Sequence, residues 1–277
     1  MRLGQVPRGA SYIRRIEIKS LWSGRKHVVW ELHPDVNILS GVNGVGKTTI
    51  LNKLVYRLHA DSAAGALSAA EAHGVKIDFE PADATAIRFD VIRSFDRPLV
   101  QSDLLGKVAD AHVATELDLQ LYQLQRRYLD YQVNIGNRMI SLLTGGDPDA
   151  REKATAVADA KRRFQDMVDE LFNETGKKID RTSNEIRFEQ MGEILLPHQL
   201  SSGEKQMLAI LLIEDRQPYA LFMDEPEVSL HVEWQQRLIG LIRELNPHAQ
   251  VVLTTHSPAV IMDGWLDAVT EVSDITE

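Results

Sequence analysis

The chain has 277 residues, 31 of them basic and 40 acidic, a formal charge of −9 and no cysteine. That length buries a full core as one large α/β domain with room for an excursion, and the charge argues against a surface that grips nucleic acid throughout. The absent cysteines exclude disulfides and thiolate metal sites. With no secretory leader and no run of about 18 apolar residues, a cytoplasmic protein without a membrane partner is expected.

Residues 1–102 read as a sheet-rich lobe, the first half of a head. "YIRRIEIKSLW" and "KHVVWEL" alternate apolar and charged residues as half-buried strands do, and "DVNILSG" is a short buried strand. "GVKIDFEPADATAIRFDVIRSF" supplies two more strands around the turn from Pro81 to Thr85.

Residues 103–182 change character. Leu117, Leu121, Leu124, Tyr128, Tyr131, Ile135 and Leu142 follow steps of four and three, with Arg138 the polar break, and form a helix seam. "TGGDPD" at 144–149 is a turn, and "AREKATAVADAKRRFQDMVDELF" is rich in helix formers. The pair predicts an antiparallel helical hairpin, either a short coiled-coil-like arm of at most about 60 Å or a packed subdomain.

Residues 183–277 return to α/β as the second half of the head. "YALFMDEP" and "AQVVLTTHS" carry the continuous apolar runs of strands covered on both faces, and "SLHVEWQQRLIGLIRELNP" between them is an amphipathic helix.

Four motifs carry chemistry. "GVNGVGKTT", residues 41–49, matches G-x-x-x-x-G-K-[ST] between a strand and a helix. There Gly41, Asn43, Gly44 and Gly46 turn backbone amides onto phosphates, Lys47 reaches the β- and γ-phosphates, Thr49 continues the helix N-terminus, and the Thr48 hydroxyl can ligate Mg²⁺. "LFMDEP" ends a buried strand in Asp224, a metal-ligand candidate, followed by Glu225, placed to deprotonate a water. "TTHSP" brings His256 to the carboxyl edge of the sheet, where a γ-phosphate contact is expected. In "LSSGEKQML", Ser201, Ser202, Gly203 and Glu204 open an apolar-faced helix, with Ser202 and the amides of Gly203 and Glu204 read as an anion cap. Alone it would be an ordinary serine cap. One anion cannot need both this cap and the loop at 41–49 within a single copy, but in a two-fold dimer the cap of one subunit can close over the γ-phosphate held by the other.

These motifs, in this order, resemble the ATP-binding cassette ATPases: Walker A, signature, Walker B with catalytic glutamate, and switch histidine. "DEPEVSLH", where transporters read closer to D-E-P-T-S-A-L-D, and the helical excursion are similar to the SMC-like and overcoming-lysogenization-defect-like branch. That branch includes ATPase subunits of anti-phage systems such as Septu and PARIS. The resemblance implies a P-loop NTPase head with a mixed or parallel sheet, ATP and Mg²⁺ as cofactors, and a head-to-tail homodimer that closes on ATP and reopens on hydrolysis. It implies Ser229 and His231 in a D-loop facing the partner copy, Gln101 as the Q-loop glutamine and Trp22 as a candidate adenine contact. No nuclease, Toprim-like or membrane domain follows "HSPAVIMDGWLDAVTEVSDITE", so a separately encoded effector is expected. Two other roles stay open: a DNA-clamping ATPase, using Arg8, Arg14, Arg15, Lys19, Arg25 and Lys26 unless these are a solvated strand face, and the nucleotide-binding subunit of a transporter.

Overall fold

The computed structural model describes residues 8–22, 24–61, 74–93, 113–146, 148–212 and 218–277. The first elements are strands β1 (Tyr12–Leu21), β2 (Lys26–Glu31) and β3 (Val36–Ser40), helix α1 (Lys47–Asp61), and strands β4 (Val75–Glu80) and β5 (Phe89–Arg93). Helices α2 (Glu116–Thr144) and α3 (Ala150–Leu171) lead to strands β6 (Lys178–Ile179), β7 (Phe188–Gln190) and β8 (Glu193–Leu195) and helix α4 (Ser202–Leu211). Strand β9 (Tyr219–Asp224), helix α5 (Val232–Leu245), strand β10 (Ala249–Thr254), helix α6 (Pro258–Met262) and strand β11 (Val269–Glu271) complete the chain. Two compact units result, Met1–Phe95 with Glu214–Glu277, and Asp96–Ile213.

The first unit holds a parallel five-stranded sheet, β11-β3-β10-β9-β5, and an antiparallel three-stranded sheet, β2-β1-β4. The two strands expected around Pro81 therefore part company: β4 pairs with β1, and β5 pairs with β9. Helix α1 touches β9 and β10 of one sheet and β1 and β4 of the other. One apolar core including Ile16, Trp30, Leu54, Phe222 and Val252 joins all three. The register between β1 and β4 shifts between Ile13 and Arg15, a bulge that lets both Ile13 and Ile16 point inward although three residues apart. Strands β9 and β10 are apolar because both faces are covered; alternate residues Leu221, Met223, Val251 and Leu253 are buried outside that core, and α5 packs against β10. Gln250, fully buried, accepts from the Ile13 amide at 2.8 Å and donates to the Ile13 and His33 carbonyls at 2.8 Å each. The amide group of one side chain thus connects β10 to β1 and to the backbone preceding β3.

In the second unit α2 and α3 pack as the predicted hairpin. Thr115 caps α2, its hydroxyl accepting from the Asp118 amide at 3.1 Å. Seam residues Leu117, Leu121, Leu124 and Tyr128 are buried, whereas Tyr131, Ile135 and Leu142 are half-buried. The reason is that α4 also packs against α2. The small antiparallel sheet β6-β7-β8 was not legible in the sequence: each strand has only two or three residues, too few to show alternation. Phe188 of β7 meets Phe172 at a ring separation of 5.4 Å.

Candidate functional site

In the first unit the chain leaves β3 and enters α1 through the loop at 41–46. Gly41, Gly44 and Gly46 have φ of 145°, 82° and 108°, conformations that L side chains rarely adopt. At Gly46 a β-carbon would also lie 2.7 Å from the Trp22 ring, so the indole closes against the loop itself. Lys47 is buried, and its Nζ donates to the Gly41 carbonyl at 2.8 Å and the Val42 carbonyl at 3.4 Å. Asn43 and Gly44 are exposed at the loop crest, and Thr49 is half-buried in the first turn of α1. The first amides of α1 have no intrahelical acceptor, so this loop can receive an anion.

Parallel pairing of β10 with β9 sets Thr254 beside Asp224. Asp224 Oδ1 accepts from Thr48 Oγ1 at 2.9 Å and from Thr254 Oγ1 at 2.7 Å, which brings together residues 176 and 30 positions apart. Glu225 has left-handed backbone angles, φ 47° and ψ 56°, and its amide donates to the Thr254 carbonyl at 3.0 Å. Its Oε1 lies 4.0 Å from Lys47 Nζ and 3.5 Å from His256 Nδ1. The site thus gathers a hydroxyl and a carboxylate fit for a hard cation, a second carboxylate, a lysine and a histidine. Glu227, which sequence reasoning missed, also belongs here: its Oε1 accepts from Thr255 Oγ1 at 2.6 Å and the His256 amide at 3.0 Å. The one signal pointing to it is an acid in "DEPEVSLH" where transporters favour threonine. Ser229 lies in the turn Pro226–Ser229, and His231 is the residue before α5.

The serine-rich motif lies in the second unit at the start of α4. The capping residue is Ser201 rather than Ser202: its hydroxyl accepts from the Glu204 amide at 3.4 Å, and its own amide donates to Glu204 Oε2 at 3.0 Å. The Glu204 amide is therefore committed within the helix start, and the exposed Ser202 and half-exposed Gly203 remain as the outward-facing part. The Glu204 side chain is buried; its Oε1 accepts from Lys177 at 2.9 Å and Thr175 at 3.0 Å. Burial alone would raise the Glu204 pKa, but the bond from Lys177 and those from Ser201 and Thr175 hold it below the usual range. Lys205 likewise pairs with buried Asp118 at 2.8 Å, and Asp118 is held low in the same way, its burial outweighed by Lys205.

Four of the six basic residues near the N-terminus lie against acids or an aromatic ring. Arg15 pairs with Glu31 at 3.1 Å, Lys19 lies 3.8 Å from Glu17, Arg8 pairs with Asp83, and Lys26 sits 5.2 Å from the Trp22 ring centroid. Gln101 lies outside the described residues. Among the described residues no helix is long and apolar enough to cross a membrane.

A family described as "AAA domain, putative AbiEii toxin, Type IV TA system" matches residues 126–263. A solved Smc head, bound to the C-winged helix domain of ScpA, shares the fold with a TM-score of 0.50 at 14% identity, covering 91% of this chain and 92% of that one. In fold and motif the chain is similar to the ABC/SMC-like AAA ATPases. Similarity also reaches the inner membrane ABC transporter ATP-binding protein YddA of Escherichia coli K12, 41% identical over 61 residues, 22% of this chain and 11% of that protein. The Septu protein PtuA of Bacillus thuringiensis is 42% identical over 41 residues, 15% of this chain and 10% of that protein. The chain thus matches about a tenth of the length of these two curated relatives.

Proposed function

We propose that this ATPase binds ATP with Mg²⁺ and hydrolyses it in a head-to-tail dimer of two copies, and that nucleotide-driven closure controls a separately encoded effector in anti-phage defence. The observation that carries the reading is the bond from Thr48 to Asp224 at 2.9 Å, which unites a hydroxyl and a carboxylate from distant motifs directly beside the phosphate loop. These two oxygen donors fit Mg²⁺, an ion that takes few protein ligands and completes its shell with water and phosphate oxygens. When bound, Mg²⁺ neutralises charge on the β- and γ-phosphates.

The residues of the chain do the rest. Lys47 exchanges the Gly41 carbonyl for phosphate oxygens, and the amides of Gly44, Gly46 and Thr49 cradle them. Glu225 accepts a proton from the attacking water, and His256 contacts the γ-phosphate. Ser201, Ser202 and Gly203 of a second copy close over the same phosphate, so ATP stabilises the closed pair by contacts that ADP lacks. Gln101 is assigned to sense the nucleotide from the first copy, and Trp22, against Gly46, to meet the base. The protein works in the cytoplasm, where ATP is supplied.

Support for an effector partner comes from the resemblance to Septu. The neighbouring Smc head was solved with a bound partner, and a partner is what we carry over from it, not DNA. The acids interleaved with the N-terminal basic residues leave the DNA-clamping reading with less support.

The test mixes two defective proteins. Lys47→Ala should lose ATP binding, and Ser202→Arg should bind ATP without turning it over; a mixture of the two should regain turnover, because one intact composite site survives. Failure of the mixture to regain any turnover, with both proteins folded, overturns the shared pocket. Unchanged ATP affinity in Lys47→Ala overturns the assignment of the loop.

A further inference from the structure

We infer that Glu227 is a positioning residue for His256: it holds the imidazole by Nδ1, keeps the proton there, and leaves Nε2 as the nitrogen offered to a ligand. The catalytic meaning of this inference rests on the ATPase reading above, but its geometry does not.

Three groups of the segment after β10 converge on one carboxylate oxygen. Glu227 Oε1 accepts from Thr255 Oγ1 at 2.6 Å and from the His256 amide at 3.0 Å, and lies 3.4 Å from His256 Nδ1. Glu227 is only 5% exposed, so it cannot swing away, and its Oε2 has no hydrogen-bond partner among the described residues. A buried carboxylate oxygen left unsatisfied is costly, which is a reason to look for a role beyond stability. The other carboxylate near Nδ1 differs in kind. Glu225 Oε1, 3.5 Å from Nδ1, also lies 4.0 Å from Lys47 Nζ and is the group assigned to the water. When Glu225 turns to that water, Glu227 alone keeps the ring in place.

An imidazole nitrogen that faces carboxylate oxygens serves as the donor, and the other nitrogen of the neutral ring is then the acceptor. A second tie lies on the far side of the histidine. Gln235 donates to the carbonyls of Glu227 at 3.1 Å and Leu230 at 2.9 Å, while its Oε1 accepts from Ser257 Oγ at 2.8 Å. The turn at 226–230 therefore holds the histidine segment on both flanks of His256, and a displacement of that turn moves the ring. On the dimer reading this is the turn that faces the second copy, so partner contact and histidine geometry are joined through Glu227.

The experiment uses the full chain with ¹⁵N-labelled histidine, read by NMR at about pH 8, above the ordinary histidine pKa of about 6.5. His256 is assigned by the signal lost in His256→Gln. Wild type should show the Nδ1–H form. Glu227→Leu should lose that preference and lower kcat by about 10-fold or more with KM for ATP little changed, whereas Glu227→Gln, which keeps an acceptor, should retain the Nδ1–H form and most of the rate. Should Glu227→Leu not fold, the wild-type spectrum still decides: a neutral His256 protonated on Nε2 overturns the inference. So does a Glu227→Leu protein whose His256 keeps its Nδ1 proton. A wild-type protein that does not hydrolyse ATP would instead sink the functional reading, and the spectrum would still decide the role of Glu227.

Discussion

Lys47 Nζ lies 4.0 Å from Glu225 Oε1, so the cation of the phosphate loop and the carboxylate at the end of β9 share one neighbourhood. On the proposed reading, phosphate oxygens compete with that carboxylate for the lysine. Glu225→Gln removes the competitor and should leave ATP affinity at least as high as in wild type, while hydrolysis falls about 10²-fold or more, the scale of general-base catalysis. Equilibrium ATP binding and single-turnover hydrolysis on the same preparation separate the two effects; a variant hydrolysing at the parental rate shows that another group activates the water.

Ser202 is exposed at the first position of α4, while Ser201 makes the helix cap. Ser202→Arg should therefore leave folding and ATP binding intact and block only the approach of a second copy. In a Glu225→Gln background, light scattering with ATP should give a dimer mass without the arginine and a monomer mass with it. A dimer in both would remove α4 from the interface.

Gln250 satisfies one amide and two carbonyls in a fully buried position. Gln250→Leu strands those groups and should cost about 2–4 kcal/mol, visible as a lower denaturation midpoint with little change of slope. A loss below about 0.5 kcal/mol would mean that the backbone of β1 finds other partners.

Glu204 and Asp118 are held below the ordinary carboxylate range, so the folded state binds fewer protons there than the unfolded chain. Their contribution is complete at neutral pH and is lost as pH falls below about 4.5 toward the depressed folded values. Lys177→Met should destabilise by about 3 kcal/mol at neutral pH, because it leaves the buried Glu204 charge short of its cation, and the deficit should narrow in acid as Glu204 protonates. Melting curves at neutral and acidic pH give the comparison; a deficit that widens in acid would contradict the linkage.

The parallel core was legible because β3, β9 and β10 are largely apolar runs that end in polar residues: Ser40, Asp224, Thr254. The hairpin was legible from the four-three spacing of its seam. Sequence could not separate β4 from β5, since both alternate alike and only β1 and β9 decide their sheets. It also could not identify the capping serine of two adjacent ones, which turns on a single hydroxyl reaching the Glu204 amide. Glu227 was hidden for a related reason: its contacts with Thr255 and His256 are set by the register of β10 on β9, which no local pattern encodes. Phosphate-loop residues sit close together in the chain, so their grouping needs no register at all.

Glu225 keeps a backbone shape, φ 47° and ψ 56°, that glycine would adopt without steric cost. Replacing it with glycine should raise the melting temperature even as the side chain at the centre of the site disappears. If Glu225 serves the water as proposed, selection for thermal endurance alone would drift toward an inert protein at this one position, so any effort to harden the molecule must hold residue 225 fixed.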